Sequence, residues 1–342
     1  MVVDNCIIKQ PEFLAEHHIP ELLETRERQI QELKLCLAPS LKRRKPMNAW
    51  LYGEPGTGKT AVAKLLLQHM KNDFSVKGIY INCWEYKTLY TVIDKIVRDL
   101  KIMFAEKPDV VVKMERFRKT IGSQPFIVVL DEIDRPELNE KNAMLYQLSN
   151  MGNVGLVCIS NSRNYLLNLD QRIHSRLMPK QIEFQPYTGI EIMNILRQRA
   201  DLALDLNCLD NNILLKISDC AEGDARIAIQ TLKKAAEIAE ASKNKKISEE
   251  HIKQSLDSIK DLKKKYLLDD LTWHHRLIYE IIREQPGITS RELWQYYVRI
   301  RAQERKEPVA TRTFSAYLSK LLELKLVQSE RTNSRVRVFT VL

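Results

Sequence analysis

Residues 53–60 read GEPGTGKT, directly after the apolar run NAWLY and at the opening of the amphipathic stretch TAVAKLLLQHM. A strand, a glycine-rich loop and a helix in that order form a phosphate cradle. The glycines let main-chain N–H groups converge on phosphate oxygens, and the helix N-terminus adds positive potential at the same place. The candidate nucleotide-binding residues are Gly53, Glu54, Pro55, Gly56, Thr57, Gly58, Lys59 and Thr60. Lys59 suits the β- and γ-phosphates, and the Thr60 hydroxyl suits Mg²⁺. The expected ligand is ATP or ADP with Mg²⁺.

The flanking sequence agrees with that loop. Short β-rich runs recur at 49–52 (AWLY), 78–83 (GIYINC), 125–133 (PFIVVLDEI), 155–160 (GLVCIS) and 181–185 (QIEFQ). Without polar alternation they suit strands of a parallel sheet buried on both faces. A long helical segment is expected between the second and third, over 87–120. After Pro186 the strands stop, and 188–204, 210–221, 224–241 and 248–258 read as helices, with Gly223 at a break. A lysine-rich connector, 259–270, leads to helices at 272–285, 289–304 and 311–325, then to two β runs around the polar tip RTNS. Three helices and a β-hairpin is the winged helix-turn-helix order. With 342 residues the chain exceeds one usual domain, and the expected division is 1–186, 187–260 and 261–342.

Two further strand ends carry chemistry. The run FIVVLDEID closes on Asp131, placed beside Mg²⁺, and Glu132, placed to orient or deprotonate water. Asn161 directly follows GLVCIS, where an amide can bridge the attacking water and the γ-phosphate. Farther on, NLDQRIHSRL sets Arg172 and Arg176 one helical turn apart. Alone they read as two solvated charges on a short helix rather than as groups that reach into another subunit's chemistry.

Charge placement points to an anionic partner. The net charge is +10, and residues 271–342 hold 13 Lys and Arg against 7 Asp and Glu. The six cysteines are scattered without a C-x-x-C pair, which excludes a zinc site or compact disulfide framework of the usual spacing. No apolar stretch approaches 18 residues, and the first residues, MVVDNCIIKQPEF, lack the basic-then-apolar order of a secretion signal. No membrane association is expected. The expected location is cytoplasmic, at the nucleoid, or nuclear in a eukaryote.

The phosphate loop, the D-E strand end, the Asn after the next strand, the R-x-x-x-R helix and the GDAR helix start together resemble the AAA+ ATPases. Within them, ELLETRERQIQEL (21–33), YINCWEYKTLYTVIDKIV (80–97), VVLDEID (128–134), EGDARIAIQTL (222–232) and RTFSAYLSKLLELKLV (312–327) resemble the origin-recognition and replication-licensing (Orc/Cdc6-type) initiators, in compactness the archaeal ones. The resemblance implies an α/β AAA+ base domain with a parallel sheet, an all-helical lid and a C-terminal winged helix. It makes Asn161 the first sensor and Arg226 the second, reaching the γ-phosphate from the lid. Arg226 gains nothing from the helix dipole in the first turn of its helix, which suggests a purpose other than helix stability. Arg176, or else Arg172, becomes a finger presented to a neighbour's γ-phosphate. Residues 19–28 border the adenine, with no single residue assigned.

For DNA, the resemblance gives a recognition helix bearing Arg312, Thr313, Ser315 and Lys320, with Leu318, Leu321, Leu322 and Leu326 packed inward. It also gives a wing with Arg331, Arg335 and Arg337, and an approach from the 87–120 segment through Lys113 and Arg116, beside Arg118 and Lys119. The implied function is ATP-dependent initiation at double-stranded origin DNA, with slow hydrolysis as a switch. Implied partners are further copies or paralogous initiator subunits and the replicative helicase. The alternatives are an ADP-holding DNA-binding regulator without hydrolysis, a clamp-loader-like subunit, or a transcription-regulating ATPase.

Overall fold

Five of the apolar runs pair into one parallel sheet: β1 (Ala49–Tyr52), β2 (Lys77–Asn82), β3 (Phe126–Asp131), β4 (Val154–Ser160) and β5 (Lys180–Glu183), in the order β2-β3-β4-β1-β5. The computed structural model describes residues 6–341 apart from 17, 21–22, 107, 270, 304–305, 325 and 332–336. Every residue of β3 and β4 is buried, which is why their sequences show no alternation. In register, Leu51 lies between Ile159 and Ile182.

Helices cover both faces. α1 (Glu27–Leu37) and α2 (Lys59–Asn72) bring Leu33, Leu37, Val62 and Leu66 against Leu51, Val129 and Ile159. On the other side, α3 (Leu89–Asp99), α4 (Val110–Ile121), α5 (Leu138–Ser149), α6 (Asn164–Leu167) and α7 (Gln171–Leu177) bring Ile93, Phe117, Leu145, Leu166 and Ile173 against Trp50, Val128 and Leu156. The single segment expected over 87–120 is two helices. Pro108 lacks the N–H a continuous helix needs, and Asp109 starts the second helix by accepting from the Val112 N–H at 2.9 Å. Thr88 caps α3 in the same manner, accepting from Thr91 N–H at 3.2 Å.

Between Pro186 and Asp269 the chain forms helices, as its pattern requires. α8 (Gly189–Ala203) opens on a Thr188–Glu191 capping box, and α9 (Asn211–Cys220) and α10 (Ala225–Ala241) pack against it. Gly223, at φ +86°, turns the chain between α9 and α10 where a side chain would meet Pro186. α11 (Glu249–Asp269) runs through most of the expected connector, since no Gly or Pro occurs within it to stop it.

The chain divides into two units, Met1–Ile252 and Lys253–Leu342. The second contains α12 (Trp273–Glu284), β6 (Ile288–Thr289), α13 (Ser290–Gln303), α14 (Thr311–Glu323), β7 (Val327–Arg331) and β8 (Arg337–Val341). It is a winged helix, with a β6-β8-β7 antiparallel sheet over a core of Ile278, Ile282, Leu293, Tyr297, Phe314, Leu321 and Phe339. β6 has only two residues, too few to show a period in sequence. Among the described residues, no helix is long and apolar enough to cross a membrane.

Candidate active site

β4 lies between β1 and β3, so the strand order brings three sequence motifs to one edge. The glycine-rich loop leaves β1, Asp131 ends β3 and Asn161 follows β4, all at the carboxyl ends where parallel sheets bind ligands. A cavity of about 780 Å³ opens there. It is lined by residues 56–60, Asp131, Glu132, Asn161 and Arg226, with Ile19, Pro20 and Leu23 as an apolar wall. That volume suits a nucleotide.

The loop is shaped by its glycines. Gly53, Gly56 and Gly58 have φ of +150°, +75° and +89°. A Cβ on Gly53 would overlap the Phe184 carbonyl, and one on Gly58 would overlap the Tyr187 hydroxyl. Lys59 is buried and donates to the carbonyls of Gly53 and Glu54 at 2.8 and 2.7 Å. Burial, reinforced by the Arg226 charge, pushes its pKa down to about 8. An anion placed between these two cations would relieve both costs, so the pair suits an anionic ligand.

Thr60 Oγ1 donates to Asp131 Oδ2 at 2.7 Å, and the Tyr80 hydroxyl donates to the same oxygen at 2.7 Å. Burial and the Asp131 charge raise the Tyr80 pKa, keeping the phenol a donor. A hydroxyl and a carboxylate side by side at a phosphate loop are hard oxygen donors that fit Mg²⁺, which takes few protein ligands and the rest from phosphate and water. Among the described residues no cluster of three His, Cys, Asp or Glu side chains could hold a metal unaided.

Glu132 sits at φ +54°, a left-handed conformation that costs a non-glycine residue about 1–2 kcal/mol. The Asp131 carboxylate holds it there by accepting the Glu132 N–H at 2.9 Å. Asn161 donates to Asp134 Oδ2 at 3.4 Å. A carboxylate only accepts, so Asp134 favours the amide orientation that puts Nδ2 on its side.

Sequence reasoning assigned nothing to Arg26 or Tyr187, which hold the loop from behind. Arg26 is buried, donates from Nε to the Thr57 carbonyl at 3.0 Å and from Nη2 to the Gln185 carbonyl at 2.6 Å, and lies 3.7 Å from the Tyr187 ring centre. Arg26 occupies the N-cap position of α1 but makes no side-chain cap hydrogen bond there; its guanidinium is spent on the main-chain acceptors of the loop. Arg199, also buried, fixes the segment beside the apolar wall by donating to the Phe13 and His18 carbonyls.

Other expected residues lie elsewhere. Arg172 and Arg176 are exposed on α7 and do not line the cavity; Arg176 donates to Asn150 and faces the Tyr146 ring. Lys113 corrects an expectation: it is 2% exposed, ion-paired with Asp94 and 3.8 Å from the Tyr90 ring centre, so it is not available to a phosphate. Its apolar stem packs between α3 and α4 and its charge is already neutralised. Lys113→Ala should lower stability by roughly 1 kcal/mol, read as a fall in thermal midpoint, because Asp94 would keep only the exposed Arg98, at 2.6 Å, as its partner. Arg116, Arg118 and Lys119 do face solvent on α4.

In the second unit, Arg312, Thr313, Ser315 and Lys320 are exposed on α14, while Leu318, Leu321 and Leu326 are buried and Leu322 half-buried. Lys320 pairs with Glu323 at 3.0 Å. Arg337 is exposed at the start of β8 and donates to Ser329 at 3.0 Å. The Arg331 side chain and Arg335 lie outside the described residues.

Comparison with known proteins places both units. Residues 43–165 match the AAA domain family and residues 193–257 the Cdc6 AAA+ ATPase-type lid domain. The ORC1-type DNA replication protein 1 of Halobacterium salinarum is 31% identical over 304 residues, 87% of this chain and 95% of that one. The protein of the same name from Aeropyrum pernix is 30% identical over 358 residues, 98% of this chain and 90% of that one. The solved structure of the Aeropyrum pernix ORC1 protein in complex with DNA superposes with a TM-score of 0.82 at 29% identity, covering 98% of this chain and 94% of that one. On an identity that extends through sheet, lid and winged helix alike, the chain belongs to the ORC1-type DNA replication proteins.

Proposed function

We propose that the chain is an ATP-dependent replication initiator that binds Mg²⁺-ATP in the cavity, hydrolyses it slowly, and uses the ATP or ADP state to switch its hold on double-stranded origin DNA and its support of helicase loading. The observation that carries this reading is the convergence of Lys59, the Thr60–Asp131 pair, Glu132, Asn161 and Arg226 on one cavity. Lys59 and the loop amides hold the β- and γ-phosphates, and Arg226 closes on the γ-phosphate from the first turn of α10. Glu132 orients the attacking water and takes its proton; Asn161 aligns that water with the phosphate. Mg²⁺, when held by Thr60 and Asp131, supplies neutralisation of the phosphate charge. The adenine packs on Ile19, Pro20 and Leu23. Slow turnover suits a switch whose state must outlast a binding event.

The Aeropyrum pernix relative was solved with DNA, and the exposed face of α14 offers Arg312, Thr313, Ser315 and Lys320 for the same purpose here. Arg331, Arg335 and Arg337 of the wing and Arg116 of α4 add phosphate contacts. Arg176, or Arg172, is assigned to the active site of a neighbouring copy or paralogue, which explains a basic pair exposed away from its own cavity. On this reading 1–186 is the ATPase base, 187–260 the lid and 261–342 the DNA-binding domain, and the protein works at the nucleoid.

Lys59→Ala tests the nucleotide assignment. Loss of charge-assisted hydrogen bonds should weaken ATP about 10- to 100-fold in a calorimetric titration. Unchanged affinity would sink the assignment of this cavity to phosphate.

A further inference from the structure

Glu132 is followed by a turn in which the Arg135 N–H donates to the Glu132 carbonyl at 3.0 Å. The turn sets both side chains on one side, and Arg135 Nε lies 3.5 Å from Glu132 Oε2. Arg135 is itself supported: its guanidinium stacks 4.1 Å from the ring centre of Trp84, in the loop between β2 and α3. The Trp84 main-chain N–H donates to Asn82 Oδ1 at 2.9 Å, which fixes its backbone, and Lys87 lies 5.7 Å from the same ring centre. Glu132 lines the nucleotide cavity, whereas neither Arg135 nor Trp84 does.

We propose that Trp84 and Arg135 form a latch that restrains Glu132 and so holds ATP hydrolysis slow. The inference rests on the reading of Glu132 as the group that activates water. The ion pair draws a carboxylate oxygen of Glu132 toward a residue outside the cavity, away from where water would be activated. The pair is also easily released. With side-chain exposures of 45% for Arg135 and 35% for Glu132, it is screened by solvent and close in worth to other surface pairs. Such a contact biases the position of Glu132 without locking it. The planar guanidinium is suited to this task, since it can stack on the indole face and donate from its edge at once. Arg135 is therefore a positioning residue, and Trp84 sets where it stands.

The test is steady-state phosphate release by the full chain. Arg135→Ala and Trp84→Ala should each raise kcat about two- to fivefold, the range an exposed ion pair commands, with KM for ATP within about twofold of the parent. Both residues are partly exposed, so thermal midpoints should hold. Arg135→Lys keeps the charge but not the planar stack, and should fall between Arg135→Ala and the parent. The gain must run through Glu132: Arg135→Ala combined with Glu132→Gln should be as slow as Glu132→Gln alone. A gain that survives in the Glu132→Gln background, or a kcat that is unchanged or lower in both single variants at unchanged thermal midpoint, overturns the latch and leaves the ATPase reading standing. Parent phosphate release that is insensitive to Glu132→Gln overturns the ATPase reading and the latch with it.

Discussion

Affinity for duplex DNA should fall about 10³- to 10⁵-fold when salt is raised from 50 to 200 mM, the response of a protein that contacts about 6 to 10 phosphates. The residues proposed for DNA in the two units together number within that range. Residues 271–342 carry an excess of basic over acidic side chains, and Arg312, Lys320 and Arg337 are exposed there, while Arg116, Arg118 and Lys119 are exposed on α4. Each phosphate neutralised releases condensed counterions, so the logarithm of affinity should be linear in the logarithm of salt with a slope near −0.9 per contact. Replacing Arg337 by Ala, on that view, should lower the slope by about one and weaken all sequences alike. Replacing Arg312, near the start of α14, should weaken specific sites more than random ones if that side chain reaches a base edge. Fluorescence anisotropy with a short duplex across a salt series measures both. A flat salt response would leave the winged helix as a protein-binding module and remove DNA from the proposed function.

Glu132→Gln should slow single-turnover phosphate release about 10²- to 10⁴-fold while leaving ATP affinity within about twofold. The amide fills the same space, so the left-handed backbone at φ +54° and its hydrogen bond to Asp131 persist. What disappears is the ability to take a proton from water. Affinity should survive because the groups proposed to hold phosphate, Lys59, Thr60 and the loop amides, are untouched. A fall in affinity as large as the fall in rate would assign Glu132 to binding. No fall in rate would favour a protein that holds nucleotide without cleaving it.

The strands β3 and β4 were legible because burial on both faces makes each a nearly uninterrupted apolar run, whereas β5, Lys180–Glu183, buries only Ile182 and is read from its place after β4. The phosphate loop was legible for a different reason: its glycines answer a demand for positive φ that few other residues meet. Lys113 was not. A lysine among basic neighbours on α4 has the same letters whether it faces solvent or Asp94, and only the packing of α3 against α4 decides. Arg26 escaped similarly, since its partners are the carbonyls of Thr57 and Gln185, and main-chain acceptors carry no signature in sequence. The extension of α11 to Asp269 was in reach, because the connector contains no helix breaker. The break within 87–120 was in reach too, at the Pro108-Asp109 pair.

Gly56 has a consequence of another kind. Its carbonyl accepts the Ala225 N–H at 3.2 Å, and a Cβ at position 56 would overlap the Asp224 carboxylate that caps α10. The missing side chain is thus a gauge, fixing how near α10 can bring Arg226 to the phosphates. An alanine scan of the loop would record a defect at position 56 that looks like a lost phosphate contact. The fault would lie in clearance and in the positive φ of +75°, and trimming Asp224 rather than restoring any contact to nucleotide is what should undo the first part.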